Sequence, residues 1–170
     1  MTAYDGRVLR SGIGLALPIR VRPEFRYLGA VDFVLKSVAR VERHHFVDAL
    51  PAPRRLVIVQ FEAFLPGVDD HYRYALRDPT TLGGESWGTS TGTLRVSEER
   101  DAQPEAEMAR TARFLAEHGT MVDDAHAVAR FARIVGEERR REILIFYHEV
   151  GGSRDGILER AENAFEIVPG

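Results

Sequence analysis

Residues 25–46 read FRYLGAVDFVLKSVARVERHHF and alternate in polarity from one end to the other. Apolar side chains such as Phe33 and Val41 hold odd positions, whereas polar side chains such as Asp32 and Arg40 recur at even positions. A period of two is typical of a β-strand with one apolar and one mixed face. At ~3.3 Å per residue, a straight strand of this length would span about 70 Å, which exceeds the width of a small domain. We therefore predict one continuous strand that curls around a barrel or a strongly bent sheet.

Shorter segments of the same kind predict the other strands of the sheet. They cover residues 8–21, 55–65, 71–76, 142–150 and 157–168. For residues 157–168 the alternative to a single strand is a short helix followed by a strand. The segment 142–150 is apolar on nearly both faces, which favours a central position in the sheet. Short links between successive strands favour antiparallel pairing.

Two further segments have the spacing of amphipathic helices. Residues 104–118 begin with proline and acidic residues and end at Gly119, and residues 123–135 begin with aspartates and end at Gly136. Their apolar stripes predict an αα-hairpin that covers one face or one mouth of the sheet. The expected fold is a single α+β domain over residues 1–170. It contains a strongly curved antiparallel β-sheet or β-barrel of six to eight strands, with the αα-hairpin inserted.

The composition excludes several classes of protein and several kinds of binding partner. The chain has 170 residues, of which 44% are hydrophobic, a net charge of -3 and no cysteine. The lack of cysteine excludes a disulfide framework, a zinc finger, an iron–sulfur cluster and a thiol nucleophile. The small net charge predicts neither a nucleic-acid nor a membrane partner, and the lack of a signal pattern predicts a cytoplasmic location. A homodimer is a reasonable expectation for a small domain with long strands.

Lys36 is the only lysine among the 23 basic residues, and the other 22 are arginines. Only an amine can lose its proton near neutral pH or form a Schiff base, so Lys36 is a candidate catalytic nucleophile. Asp32 and Arg40 lie four positions away on the same predicted strand face. The alternative is that Lys36 is an ordinary surface residue in an arginine-rich chain.

Ionisable side chains within predicted strands form the second group of candidates. Glu62 shares a strand face with Gln60, and His148 interrupts an otherwise apolar strand. If Glu62, His148 and His44 converge, they could act as a general acid, a general base or metal ligands. The alternative is that they face water or pair with arginines. His44 and His45 point to opposite strand faces, so we expect no metal site and no cofactor, although a buried histidine could still ligate a haem.

Aromatic residues near the loop 78–93, which is rich in glycine, serine and threonine, form a third group. They are Phe64, Tyr72, Tyr74 and Trp87. Side chains of this kind serve either as core or as the lining of a pocket for an apolar ligand. The predicted ligand-binding residues are these four together with the polar anchors Asp32, Arg40, His44 and Gln60, and the predicted catalytic residues are Lys36, Glu62 and His148.

The leading hypothesis for function is the binding, with or without transformation, of a small and largely apolar organic molecule in a β-barrel pocket. A first alternative is a cofactor-free enzyme, an isomerase, cyclase or lyase, that uses acid–base or Schiff-base chemistry. A second alternative is a non-catalytic protein-interaction module. The sequence does not identify the ligand, nor does it tell which face of residues 25–46 points inward.

Overall fold

The computed structural model describes residues 3–6, 8–13, 17–103 and 105–168. In these ranges eleven strands and three helices follow one another along the chain. The strands are β1 (Ala3–Tyr4), β2 (Leu9–Arg10), β3 (Ile19–Val21), β4 (Arg26–Leu35), β5 (Ala39–Val47), β6 (Arg55–Phe64), β7 (Thr80–Leu82), β8 (Glu85–Arg95), β9 (Ala125–Val135), β10 (Arg141–Val150) and β11 (Phe165–Ile167). The helices are α1 (Val96–Ala102), α2 (Glu107–Glu117) and α3 (Ile157–Glu162).

The main sheet has seven antiparallel strands in the order β4-β5-β6-β10-β9-β8-β7. A smaller sheet has the order β1-β2-β3-β11. The α+β class, the antiparallel sheet and the central place of residues 142–150 are therefore confirmed. No closed barrel is found among the described residues, because β4 and β7 stand at opposite ends of the strand order.

The prediction of one continuous strand over residues 25–46 was wrong. The segment is a hairpin of β4 and β5, which turns at Lys36 and Ser37, whose φ angles are 47° and 60°. Leu35 pairs directly with Ala39, so three residues form the loop. Directly paired residues share a sheet face, so a three-residue loop leaves the alternation of odd and even positions unbroken. Neither glycine nor proline marks the turn, and the period of two runs straight through it.

The predicted helix over residues 123–135 was also wrong. This segment is β9, which pairs with β8 on one side and β10 on the other. Ala127, Ala129 and Phe131 are buried on one face, while Val128 and Ala132 are buried on the other. A strand that is apolar on both faces lacks a clear period of two, and its apolar positions then fit a helical spacing as well. The helical pair inserted before β9 consists instead of α1 and α2.

The predictions for two smaller segments need similar correction. Residues 71–76 form no strand; the backbone N–H of Tyr72 donates to the Arg139 carbonyl. The C-terminal segment contains α3 followed by the short strand β11, which is the alternative prediction and not the favoured single strand.

The two faces of the main sheet are covered differently. One face packs against the small sheet and α3 and holds the main core, which includes Phe46, Phe61 and Trp87. The opposite face is covered only in part, by a smaller apolar cluster in which Phe114 and Leu115 of α2 contact strand residues. The rest of this second face carries the candidate site.

A glycine allows α2 to approach the sheet closely. Gly29 lies at a bulge in β4 with a φ of 136°. A Cβ atom at this position would lie 3.3 Å from Cζ of Phe114. The bulge therefore allows Phe114 of α2 to pack closely against β4 at one end of the second face.

Candidate functional site

An open trough of about 580 Å³ lies between the second face of the sheet and the helical pair. Its floor includes Glu142, Leu144, Phe146 and His148. These residues occupy alternate positions of β10, and alternate residues of a strand share one face. At ~3.3 Å per residue, the Cα atoms of Glu142 and His148 are about 20 Å apart. The trough thus has a carboxyl end and a histidine end with apolar side chains between them.

Two buried glutamates occupy the carboxyl end. Glu62 on β6 lies directly opposite Glu142 on β10, and their side chains hydrogen-bond each other. The Tyr72 hydroxyl donates to Oε2 of Glu62 over 3.0 Å, and the Tyr74 hydroxyl donates to Oε2 of Glu142. Two carboxylates in contact need a proton between them, and that proton makes the pair able to donate as well as to accept.

Burial and mutual repulsion control the proton affinity of this pair. Burial, together with the charge of Glu62, raises the pKa of Glu142 to about 7. Burial also raises the pKa of Glu62, although hydrogen bonds from Gln60 and Tyr72 oppose this effect. Near neutral pH the pair therefore exchanges a proton readily, which is the property that general acid–base chemistry requires.

A buried arginine lies beside the carboxyl pair. Nε of Arg43 donates to Oγ1 of Thr111 on α2 over 2.8 Å, and its guanidinium also donates to Oε1 of Gln60. Gln60 in turn donates to Glu62, and the Arg43 guanidinium lies 5.1 Å from the centre of the Phe146 ring. Burial lowers the pKa of Arg43 to about 10, so the side chain remains charged at neutral pH.

The remaining charges of the trough come from the helical pair and from β9. Glu99 of α1 and Glu107 of α2 line the trough, as does Arg130 of β9. With one proton held by the glutamate pair, three carboxylates face the guanidiniums of Arg43 and Arg130. The trough is therefore close to neutral and its charges are grouped toward the carboxyl end.

A pair of histidines forms the other end. Nδ1 of His148 lies 3.1 Å from Nδ1 of His126, and Nε2 of His126 lies 2.8 Å from the carbonyl oxygen of Asp123. Nε2 of His148 is buried and has no hydrogen-bond partner among the residues that the structure describes. Burial lowers the pKa of both imidazoles, and that of His148 falls well below its ordinary value. Both rings are therefore neutral at physiological pH.

Six of the residues singled out from the sequence lie in or beside the trough. Glu62, Tyr72 and His148 line it directly. Gln60 and Tyr74 hydrogen-bond to the glutamate pair. The Phe64 ring packs beside Tyr72, with 4.9 Å between the ring centres.

The other five lie elsewhere. Lys36 is exposed in the turn between β4 and β5. Asp32 and Arg40 are exposed and form an ion pair at 3.9 Å. His44 is buried on the opposite face of the sheet, with its Nδ1 3.0 Å from the Tyr27 hydroxyl, and Trp87 is fully buried in the main core. Glu62, His44 and His148 therefore do not converge, because His44 belongs to the other side of the sheet.

Several residues of the trough were missed from the sequence. The main ones are Glu142, Arg43, Arg130 and Phe146. A usable signal was present in β10, where Glu142 and His148 share the parity of Leu144 and Phe146 on a strand that reads as central. Two ionisable residues on one face of a central strand indicate a buried polar site.

Comparison of the chain with protein-family models, curated proteins and solved structures gave no match. The assignment of the site therefore rests on its geometry and chemistry. None of the helices in the described ranges has the length and apolar character needed to span a lipid bilayer.

Proposed function

We propose that the protein binds a small, largely apolar organic molecule in the trough. The observation that carries this proposal is the combination of an open volume of about 580 Å³ with an apolar floor and polar groups at its two ends. Small-molecule sites typically have volumes of about 300–1,000 Å³ and consist of apolar walls with a few placed polar groups. A protein-interaction module would instead favour a filled interior with a flat apolar patch outside.

The apolar middle section gives the ligand its affinity. Leu144, Phe146, Val128 and Met108 line this section from the sheet and from α2. Removing apolar ligand surface from water here contributes about 25 cal/mol per Å². The polar ends fix the orientation of the ligand, because a group placed against the glutamate pair or His148 must satisfy it.

Direct binding of a neutral fluorescent probe tests this proposal. Phenylnaphthylamine brightens in apolar sites, so we expect saturable binding to the wild-type protein. Val128→Trp places a large ring in the trough and should abolish this binding. Val34→Trp is the matched control, because Val34 is 49% exposed on the edge strand β4 and lies outside the trough. Equal binding by the wild-type protein and Val128→Trp would show that the probe does not use the trough and would refute the proposal.

A second candidate function, cofactor-free acid–base catalysis by an isomerase, cyclase or lyase, is favoured by the glutamate pair. A carboxyl group with a pKa of about 7 can give or take a proton at neutral pH. Glu62, which accepts hydrogen bonds from Gln60 and Tyr72, would hold the charge while Glu142 carries the proton. Schiff-base chemistry does not enter this proposal, since Lys36 lies outside the trough.

The identity of the molecules that co-purify with the protein distinguishes a binding protein from an enzyme. An enzyme whose glutamate pair is disabled by Glu62→Gln should retain substrate, whereas the wild-type enzyme retains product or nothing. A binding protein should retain the same compound in both cases. Chromatography with mass spectrometry of extracts from the native host distinguishes the two results. Glu166→Gln, at a partly exposed glutamate paired with Arg20, is the control.

A further inference from the structure

The histidine end of the trough holds a polar atom that the fold leaves without a partner. His148 is fully buried, lines the trough and has no protein partner for Nε2 among the described residues. A buried polar atom without a partner destabilises the folded protein by roughly 1–3 kcal/mol. This atom differs from other unpartnered atoms, such as Nε1 of Trp87 in the main core, because it belongs to a residue that lines the trough.

The hydrogen bonds of the histidine pair determine whether Nε2 of His148 is a hydrogen-bond donor or acceptor. A carbonyl oxygen only accepts, so the contact of Nε2 of His126 with the Asp123 carbonyl requires the proton on that nitrogen. The neutral His126 ring then has a lone pair on Nδ1, and Nδ1 of His148 must donate to it. The neutral His148 ring consequently has its own lone pair on Nε2. The fold therefore leaves a hydrogen-bond acceptor without a partner in the described part of the chain, on a residue that lines the histidine end of the trough.

We propose that His148 binds a hydroxyl group at the end of an elongated apolar ligand, with the O–H donating to Nε2. This inference rests on the proposed function of the trough as a ligand site. The apolar section formed by Phe146 and Leu144 would hold the hydrocarbon part of the ligand, which extends toward the glutamate pair. His126 is a positioning residue, because it sets the tautomer of His148 through the Asp123 carbonyl.

The surrounding charges favour a neutral donor over an ammonium group. Burial lowers the pKa of His148 most, and the charges of His126 and Arg43 lower it further. The same positive charge of Arg43 repels a cation placed at Nε2. An aliphatic amine is protonated at neutral pH, as is a lysine side chain. A hydroxyl group donates a hydrogen bond without adding charge.

The first test of this inference reads the tautomers in the wild-type protein. Proton–nitrogen correlation spectra of the imidazoles should show a protonated Nδ1 and a lone pair on Nε2 for His148, and a protonated Nε2 for His126. Addition of n-decanol should shift the Nε2 signal of His148, whereas methyl n-decyl ether should not. A protonated Nε2 on free His148 would overturn the inference.

The second test compares the same two compounds as competitors of phenylnaphthylamine. In the wild-type protein n-decanol should displace the dye at about a tenfold lower concentration than the ether, which lacks the donor. His148→Phe should remove this preference, and the control His118→Phe, at the end of α2 and outside the trough, should keep it. Equal displacement of bound dye by both compounds would refute the hydroxyl assignment alone. Failure of the dye to bind in the trough would refute the proposed function.

Discussion

Replacement of Glu142 by glutamine should change how the stability of the protein depends on pH. The fold raises the pKa of Glu142 from its ordinary value of 4.5 to about 7, mainly by burial. The folded protein therefore holds more protons than the unfolded chain across this window, so the free energy of unfolding falls as the pH rises through it. A tenfold change in proton affinity corresponds to ~1.4 kcal/mol, which gives a loss of about 3 kcal/mol from this group.

Glutamine resembles the protonated carboxyl group and does not ionise, so Glu142→Gln should escape this loss. Its free energy of unfolding, relative to the wild-type value, should increase by about 3 kcal/mol from about pH 4 to about pH 8. Urea titrations followed by the fluorescence of Trp87, the one tryptophan and fully buried in the core, measure this difference. For the partly exposed control Glu166→Gln we expect a change within about 1 kcal/mol. If the curves for Glu142→Gln and the wild-type protein stay parallel over the whole range, the glutamate pair does not hold a shared proton.

Three further predictions concern other parts of the molecule. Arg43→Met removes the donor to Gln60 and Thr111 and should lower the free energy of unfolding in urea by about 3 kcal/mol, since it leaves buried acceptors and nearby carboxylates uncompensated. Gly29→Ala should lower it by about 2 kcal/mol through backbone strain and the contact with α2; Gly92→Ala, where a Cβ would meet nothing within 4 Å, should change it little. Lys36→Arg should leave the binding of phenylnaphthylamine unchanged, and a weakened affinity would contradict the placement of the site.

The strands that pair over long distances could be predicted better than the turns that separate them. Residues 55–65 and 142–150 read as strands because they are long, apolar and bounded by proline, glycine or charge, and they form the adjacent strands β6 and β10. The hairpin turn at Lys36 could not be located, since its left-handed backbone is adopted by lysine and serine rather than by glycine or asparagine. What holds this turn is the pairing of β4 with β5, a tertiary effect that local sequence does not encode.

The site residues that could be predicted are those whose strand face follows from the alternation of apolar and polar positions. Glu62, Gln60 and His148 stood out because each is polar within an apolar strand, and all three lie on the face that carries the trough. Tyr72 and Tyr74 reach the site from a segment that is not a strand. Glu142 was missed because it is only the second residue of β10 and follows a charged run, where a solvent-exposed glutamate is the common case.

The polar groups on the second face also explain why the trough stays open. Arg43 and the glutamate pair lie between apolar neighbours and are satisfied by one another and by Gln60, Thr111 and the two tyrosines. Burial of an unpaired charge costs several kcal/mol, so apolar side chains from the helices cannot close over this region without breaking that network. The helical pair instead packs its apolar residues at the Phe114 end and brings Glu99 and Glu107 toward Arg43. The same charges that could act on a ligand thus prevent the protein from filling the space with its own core.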